Sequence, residues 1–351
     1  MIDSSDTSNS KDSSRRYSRQ ILFKGLGVEG QAAILSSKAV VVGCGALGGF
    51  QAALLVRAGV GTVRLIDRDF VEESNLHRQI LFDEQDVRDL LPKAIAAERK
   101  LKAANSLVSV EGVVDDVNSS TISRLLDGFD VILDATDNFD TRFLVNDYAV
   151  KHSIPWIYGG CVAAEGMMFP VLPGETPCLR CVFESAPPPG LMPTCDTAGV
   201  IGPVVGVVAS LQVAEALKIL SGHWNQVNRR IVSLDLWGNT QSQPVLPVRE
   251  PACPCCGKHE FQYLDGSCGA ATSVLCGRNS VQIRRRDGGR VDLVKLAAQL
   301  APVATVEKNR FLIKVALEGY SLTVFEDGRA IIGGTHDAGV AKSLYARYVG
   351  P

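Results

Sequence analysis

The chain of 351 residues is 46% hydrophobic and 21% charged, with a formal net charge of −2. That balance gives no reason to expect nucleic-acid binding, and the length exceeds one average domain, so two are predicted. Ten cysteines do not read as the disulfide framework of a small secreted chain, which leaves metal binding or thiol chemistry in a cytoplasmic protein.

Met1–Ser14 is rich in Ser, Asp, Asn and Lys, with Ile2 as its only bulky apolar residue, and predicts a disordered tail without the apolar stretch of a signal peptide. Arg16-Tyr17-Ser18-Arg19-Gln20 follows, and by itself reads as a solvated surface arm. Gln31–Ser37 is expected to form a short helix. Ala39-Val40-Val41-Val42 reads as a buried parallel strand, and Gly43-Cys44-Gly45-Ala46-Leu47-Gly48 is a GxGxxG turn into a helix that reaches Arg57 and stops at Gly59 and Gly61. Thr62–Ile66 reads as a second strand. It delivers Asp67 and a polar run of Asp69, Glu72, Glu73, Asn75, His77, Arg78 and Gln79. Pro92 suits the first turn of a helix reaching about Ala104. Val108–Val114 and Asp130–Leu133 read as further strands, the latter running into Asp134-Ala135-Thr136-Asp137-Asn138. The alternation predicts an α/β fold with a Rossmann-like doubly wound sheet, whose ligands bind at the strands' carboxyl ends.

Trp156–Gly160 and Gly166–Val171 look like strands continuing that sheet, with Pro187-Pro188-Pro189-Gly190 a stiff loop. The apolar stretch Val200–Leu220 contains Pro203, Gln212, Glu215 and Lys218, which favours a buried core helix over a membrane span. After a strand at Arg230–Leu236, Asp265–Gly269 reads as a linker. It leads to a small C-terminal α/β unit over about 270–351: strand Val281–Arg285, turn Asp287-Gly288-Gly289, helix Asp292–Leu300, strands Phe311–Leu317 and Tyr320–Phe325, turn Asp327-Gly328, a strand to Ile332 and a helix ending near Tyr348. The larger unit would span about 15–264.

In the glycine turn, Gly43 and Gly45 permit a tight turn and close approach to phosphates, while Gly48 permits close helix–strand packing. The helix N-terminus adds unpaired N–H groups and about half a positive charge. Asp67 lies at the distance in sequence, about 20 residues on, that suits a carboxylate accepting ribose hydroxyls. A pyrophosphate needs little more than the helix end, whereas ATP needs added cations and Mg2+. Arg78 and Lys93 supply cations, Asn75 a neutral partner, and Asp137 a place for the metal. Singly, Arg78 and Lys93 read equally as solvated charges and Asp137 as the N-cap of a helix over Asn138–Val150. Together they favour ATP over NAD.

The motifs Arg16–Gln20, Gly43–Gly48, Asp67-Arg68-Asp69-Phe70-Val71 with Ser74–Gln79, Pro92-Lys93 and Ala135–Asn138 resemble, in the same order, those of the ThiF/MoeB/HesA adenylyltransferases, bacterial relatives of ubiquitin-activating enzymes. The resemblance covers about Arg15–Cys256. It implies a homodimer in which Arg19 reaches the other subunit's ATP site. Asp67 would bind ribose, Asn75, Arg78 and Lys93 would hold phosphates, and Asp137 would bind Mg2+. The implied reaction activates the C-terminal glycine carboxylate of a ubiquitin-like sulfur carrier ending in Gly-Gly as an acyl-adenylate, for molybdopterin, thiamine or related sulfur-transfer biosynthesis. An NAD-dependent oxidoreductase, a non-catalytic scaffold and a family member acting on another acceptor are the alternatives.

Cys178-Leu179-Arg180-Cys181 and Cys253-Pro254-Cys255-Cys256 form two CxxC pairs, which fit a closed, structural four-cysteine zinc site clipping distant loops together, with a redox dithiol as the alternative. Family members carry zinc at matching positions, and Cys255 reads as a bystander. In relatives a cysteine at the position of Cys195 accepts the activated carrier, although some do without; the bland alternative is a small loop residue. Cys44 and Cys161 read as packing residues. Leu275-Cys276-Gly277-Arg278 superficially resembles a reactive-cysteine loop of the rhodanese extension found in the family, but its position at the start of the unit favours a docking module that recruits the carrier, a sulfurtransferase or a cysteine desulfurase.

Overall fold

The computed structural model describes residues 15–185, 195–268, 274–275, 279–283 and 290–350. The expected tail Met1–Ser14, the Pro187–Gly190 loop, Cys276 and the Asp287-Gly288-Gly289 turn lie outside them. Two units divide the chain, one taking Met1–Val87, Pro92–Ala186 and Val200–Cys268, the other Arg88–Leu91, Pro187–Gly199 and Gly269–Pro351.

The first unit is built on β1 (Lys38–Val42), β2 (Thr62–Ile66), β3 (Ser109–Val113), β4 (Val131–Asp134), β5 (Trp156–Val162), β6 (Glu165–Val171), β7 (Val232–Asp235) and β8 (Thr240–Ser242). They form one sheet in the order β3-β2-β1-β4-β5-β6-β7-β8. The first five are parallel and β6, β7 and β8 are antiparallel. Parallel strands covered on both faces lose the polar–apolar alternation, and Ala39–Val42 of β1 is accordingly apolar and buried throughout. The chain leaves β1 towards β2 on one side and returns to β4 on the other, so the switch point lies between β1 and β4. Val42 pairs with both Ile66 and Asp134, which brings the carboxyl ends of β1, β2 and β4 level. A crevice there is where such sheets bind ligands.

Around this sheet lie α1 (Gly27–Ser36), α2 (Ala46–Ala58), α3 (Lys93–Ala104), α4 (Phe139–His152) and α5 (Gly202–Leu220). Helix α1 starts before the expected Gln31, at Gly27, and buries Gly30 against Leu26. Helix α2 ends at Gly59 in the left-handed conformation, φ 87°, as its glycine stop requires. Pro92 is the N-cap of α3, its carbonyl accepting from Ala96 N at 3.0 Å. The N-cap of α4 is Asn138, whose side chain accepts from Thr141 N at 2.8 Å, so the capping role considered for Asp137 is overturned. Among the described residues α5 is the one helix long and apolar enough to span a membrane. It packs on α2, β4, β5 and β6 and buries Gln212 and Glu215.

The described residues of the second unit include β9 (Val274–Leu275), β10 (Ser280–Ile283), α6 (Leu293–Leu300), β11 (Thr305–Lys308), β12 (Leu312–Leu317), β13 (Tyr320–Phe325), β14 (Ala330–Gly333) and α7 (Ala338–Tyr348). The strands make an antiparallel sheet of order β11-β12-β13-β14-β10-β9. Val281, Ile283, Ile313, Val315, Leu322 and Val324 meet Leu296, Leu300 and Tyr345 of the helices in one core. Asp292 and Asp337 cap the two helices by accepting backbone N–H bonds.

Candidate active site and metal centre

At the level edge of β1, β2 and β4 the three glycines have separate jobs. Gly43 sits at φ 96°, and a Cβ there would lie 2.5 Å from Ala135 O. A Cβ on Gly48 would lie 2.0 Å from Gly43 O, so only glycine lets α2 approach the turn so closely. Above Gly45 the nearest atom to such a Cβ is Gln79 Nε2 at 3.7 Å, which leaves room over the turn. Asp67 follows β2 and accepts from Cys44 N at 2.6 Å and Asp69 N at 2.7 Å. Both carboxylate oxygens are thus held by backbone N–H groups, one from the glycine turn and one from the loop after β2. Burial raises its pKa, and Lys93 and these N–H groups oppose the rise. Cys44 beneath it is fully buried, and burial and Asp67 raise its thiol pKa, so it packs rather than reacts.

Lys93 is only 3% exposed. Its N–H donates to Asp69 O at 2.9 Å, and Nζ lies 3.4 Å from Asp69 Oδ2. A buried ammonium needs a partner, and Asp69, not singled out from the sequence as a site residue, is one. Asn75 and Gln79 are 2% and 3% exposed, and neither Asn75 Oδ1 nor Gln79 Oε1 has a hydrogen-bond partner among the described residues. Buried amides normally spend that capacity, so two such oxygens, one of them on the Gln79 amide that lies over Gly45, suit a polar ligand. Arg78 donates to Ser74 O at 2.9 Å and lies against Gly202 at the start of α5. Asp137 is exposed, with Asn138 Nδ2 3.5 Å from its Oδ1.

The loop bearing Asp137 is shaped by a pair the sequence did not point to. Arg142, buried on α4, donates to Asp134 Oδ2 at 3.0 Å, Thr136 O at 2.8 Å and Gly159 O at 3.0 Å. Asp134 Oδ1 accepts from Thr136 N and Oγ1. Gln51 and Gln212 both donate to Asp134 O at 2.9 Å. Polar residues inside the apolar helices α2 and α5 were the available signal.

The N-terminal arm is anchored, which corrects the reading of a solvated arm. Tyr17 is buried and its hydroxyl accepts from Asn105 at 2.8 Å, while Gln20 donates to Ala58 O at 2.9 Å. Arg19 itself is exposed, with no hydrogen bond or ion pair among the described residues. Its anchors lie at the C-terminal end of α2 and the glycine turn lies at the other end. At 1.5 Å per residue the 13-residue helix separates them by roughly 20 Å, beyond the reach of one arginine. The chain therefore brings Asp67 and Lys93 to the glycine turn, with Gln79 over Gly45, and leaves Arg19 away from it.

Cys178, Cys181, Cys253 and Cys256 do converge, with all four Sγ within 4.8 Å of one another. Cys178 and Cys253 are 3.7 Å apart, and Cys181 and Cys256 3.4 Å. Four sulfurs bound tetrahedrally at about 2.3 Å lie about 3.8 Å apart, so the spacing suits a metal and is too long for a disulfide. A hydrogen bond from Cys255 holds the Cys178 thiol down at about 4, whereas burial raises Cys253. Cys195 opens a short helical turn, Cys195–Ala198, and is partly exposed.

The ThiF family model matches residues 17–255. The chain is 46% identical over 337 residues to "Sulfur carrier protein ThiS adenylyltransferase" of Bacillus subtilis, covering 95% of this chain and 99% of that one. It is 40% identical to "Sulfur carrier protein adenylyltransferase" of Thermus thermophilus, over 72% of this chain and 94% of that one. The crystal structure of E. coli MccB with ATP superposes with a TM-score of 0.60 at 26% identity, covering 69% of this chain and 74% of that one. Glycine turn, aligned Asp67, buried Lys93 and family match agree: the chain belongs to the ThiF family.

Proposed function

We propose that this protein is an ATP-dependent adenylyltransferase that activates the C-terminal glycine carboxylate of a ubiquitin-like sulfur carrier. A carboxylate oxygen of the carrier attacks the α-phosphorus of ATP, the bond from that phosphorus to the bridging oxygen breaks, and pyrophosphate leaves. No proton need move, so positioning and charge neutralisation carry the catalysis. Asp67 accepts the ribose hydroxyls, the N-terminus of α2 faces the phosphates over Gly45, and Asn75, Arg78 and Lys93 hold them. Asp137, exposed beyond the carboxyl end of β4 and not needed as a cap, would hold Mg2+, which offsets phosphate charge when bound. The observation that carries this reading is the buried Lys93 beside the open glycine turn, with the amide oxygens of Asn75 and Gln79 unpartnered among the described residues.

The four cysteines would hold a structural zinc, closed to chemistry because all positions are filled by sulfur. A homodimer completes the site on this reading. Arg19 projects beside Leu22, Phe23 and Val28, each more than two-thirds exposed, an apolar surface suited to a second copy from which Arg19 reaches the neighbouring crevice. Cys195 is assigned to accept the activated carrier, and the second unit to docking of the carrier or of a sulfurtransferase or cysteine desulfurase.

Lys93→Ala and Arg78→Ala are expected to abolish ATP–pyrophosphate exchange while circular dichroism shows the parental fold. Near-normal exchange in both would sink the assignment.

A further inference from the structure

Asn146 is fully buried, on the face of α4 one turn beyond Arg142. Its Oδ1 accepts from Leu179 N at 2.8 Å, the residue after Cys178. Its Nδ2 donates to Cys255 Sγ at 3.2 Å, between Cys253 and Cys256. One amide therefore ties together two cysteine pairs that lie far apart in sequence. The adjacent Asp147 Oδ2 accepts from Tyr263 N at 2.8 Å, just after the second pair. Cys255 is thus no bystander: it presents the second pair to α4.

The same helix holds the loop of Asp137 at its N-terminus, through the Asn138 cap and through the bonds of Arg142 to Asp134 and Thr136 O. Its 14 residues span about 21 Å as a rigid rod. Hydrogen-bonded groups behind metal ligands set ligand orientation, and their loss typically weakens metal binding roughly 10- to 100-fold.

The geometry points to Asn146 as a positioning residue that couples the four-cysteine site to the nucleotide crevice through α4, so that metal and nucleotide stabilise each other's binding. This rests on the zinc and ATP assignments above. Coupling between sites is reciprocal, and typical coupling changes an affinity by roughly 5- to 150-fold. The test follows zinc release from the full-length protein to a chromophoric chelator, with and without saturating Mg–ATP, with ATP binding measured in parallel by calorimetry. In the parent, ATP is expected to slow release by at least about 5-fold. Asn146→Ala should release zinc roughly 10- to 100-fold more readily and lose the response to ATP. Should that variant fail to fold, Cys255→Ala removes the acceptor of Asn146 together with the Cys255 bond to Cys178, and is expected to shift both readouts in the same direction. ATP that binds without altering zinc release in the parent overturns the coupling and leaves the adenylation reading intact. A folded Asn146→Ala with parental release and response overturns the role of Asn146. Failure of ATP to bind at all overturns the adenylation reading and the coupling with it.

Discussion

Asp67 shows how one residue's surroundings set its chemistry. The glycine turn and Asp69 donate to both of its oxygens, yet burial still raises its pKa above the ordinary 3.8. The free protein therefore binds that proton more tightly than an exposed aspartate would. Ribose hydroxyls require the ionised acceptor, so protons compete with the nucleotide. ATP affinity is expected to fall on acidification, beginning at a higher pH than for an exposed aspartate, and Asp67→Asn should weaken binding at neutral pH and flatten this pH dependence. Calorimetric titrations at successively lower pH check it; a parent whose pH dependence matches that of Asp67→Asn contradicts the role. Asp67, Lys93 and the glycines were legible because the motif and its spacing announce them. Asp69 as the partner of Lys93 was not, because that contact is made by the pairing of Phe70 with Pro92 across a loop no periodicity encodes.

Among the elements, β1, β2 and α2 were legible to within a residue or two, since an apolar run, a glycine turn and a glycine stop punctuate them. Short or edge elements such as β8 and β11 were not, because three or four mostly exposed residues leave no apolar pattern. The loop between β4 and α4 was only half legible. Its polar residues were conspicuous, but the arginine that fixes it comes from within a helix and bonds Gly159 O on a neighbouring strand. Arg142→Ala would leave Asp134 buried without its charge partner, which typically costs about 3–5 kcal/mol. A large drop in the thermal midpoint is expected, with Arg142→Lys intermediate because one ammonium cannot span three acceptors. Unchanged melting of Arg142→Ala would show that the pair does not hold the loop.

For the whole molecule, the sequence could place Arg19 near a nucleotide site only through family resemblance. The structure supplies a physical reason, since its anchors lie at the far end of α2 from the glycine turn. If Arg19 acts across a dimer, Arg19→Ala and Lys93→Ala should each be inactive alone. Co-refolded in equal amounts, they should recover about a quarter of parental exchange, because half the dimers then hold one intact site. No recovery from mixed dimers of confirmed composition would contradict action in trans. Deletion from about residue 270 onward is expected to spare nucleotide binding and weaken carrier binding, as titration of both ligands would reveal.

The most direct measurement is ATP–pyrophosphate exchange across a panel of carriers ending in Gly-Gly, each paired with a form lacking its terminal glycine. Exchange that needs Mg2+, appears with at least one intact carrier and disappears with its truncated form is the predicted result. Exchange that ignores the terminal glycine, or none with any carrier while ATP binds normally, would contradict the account.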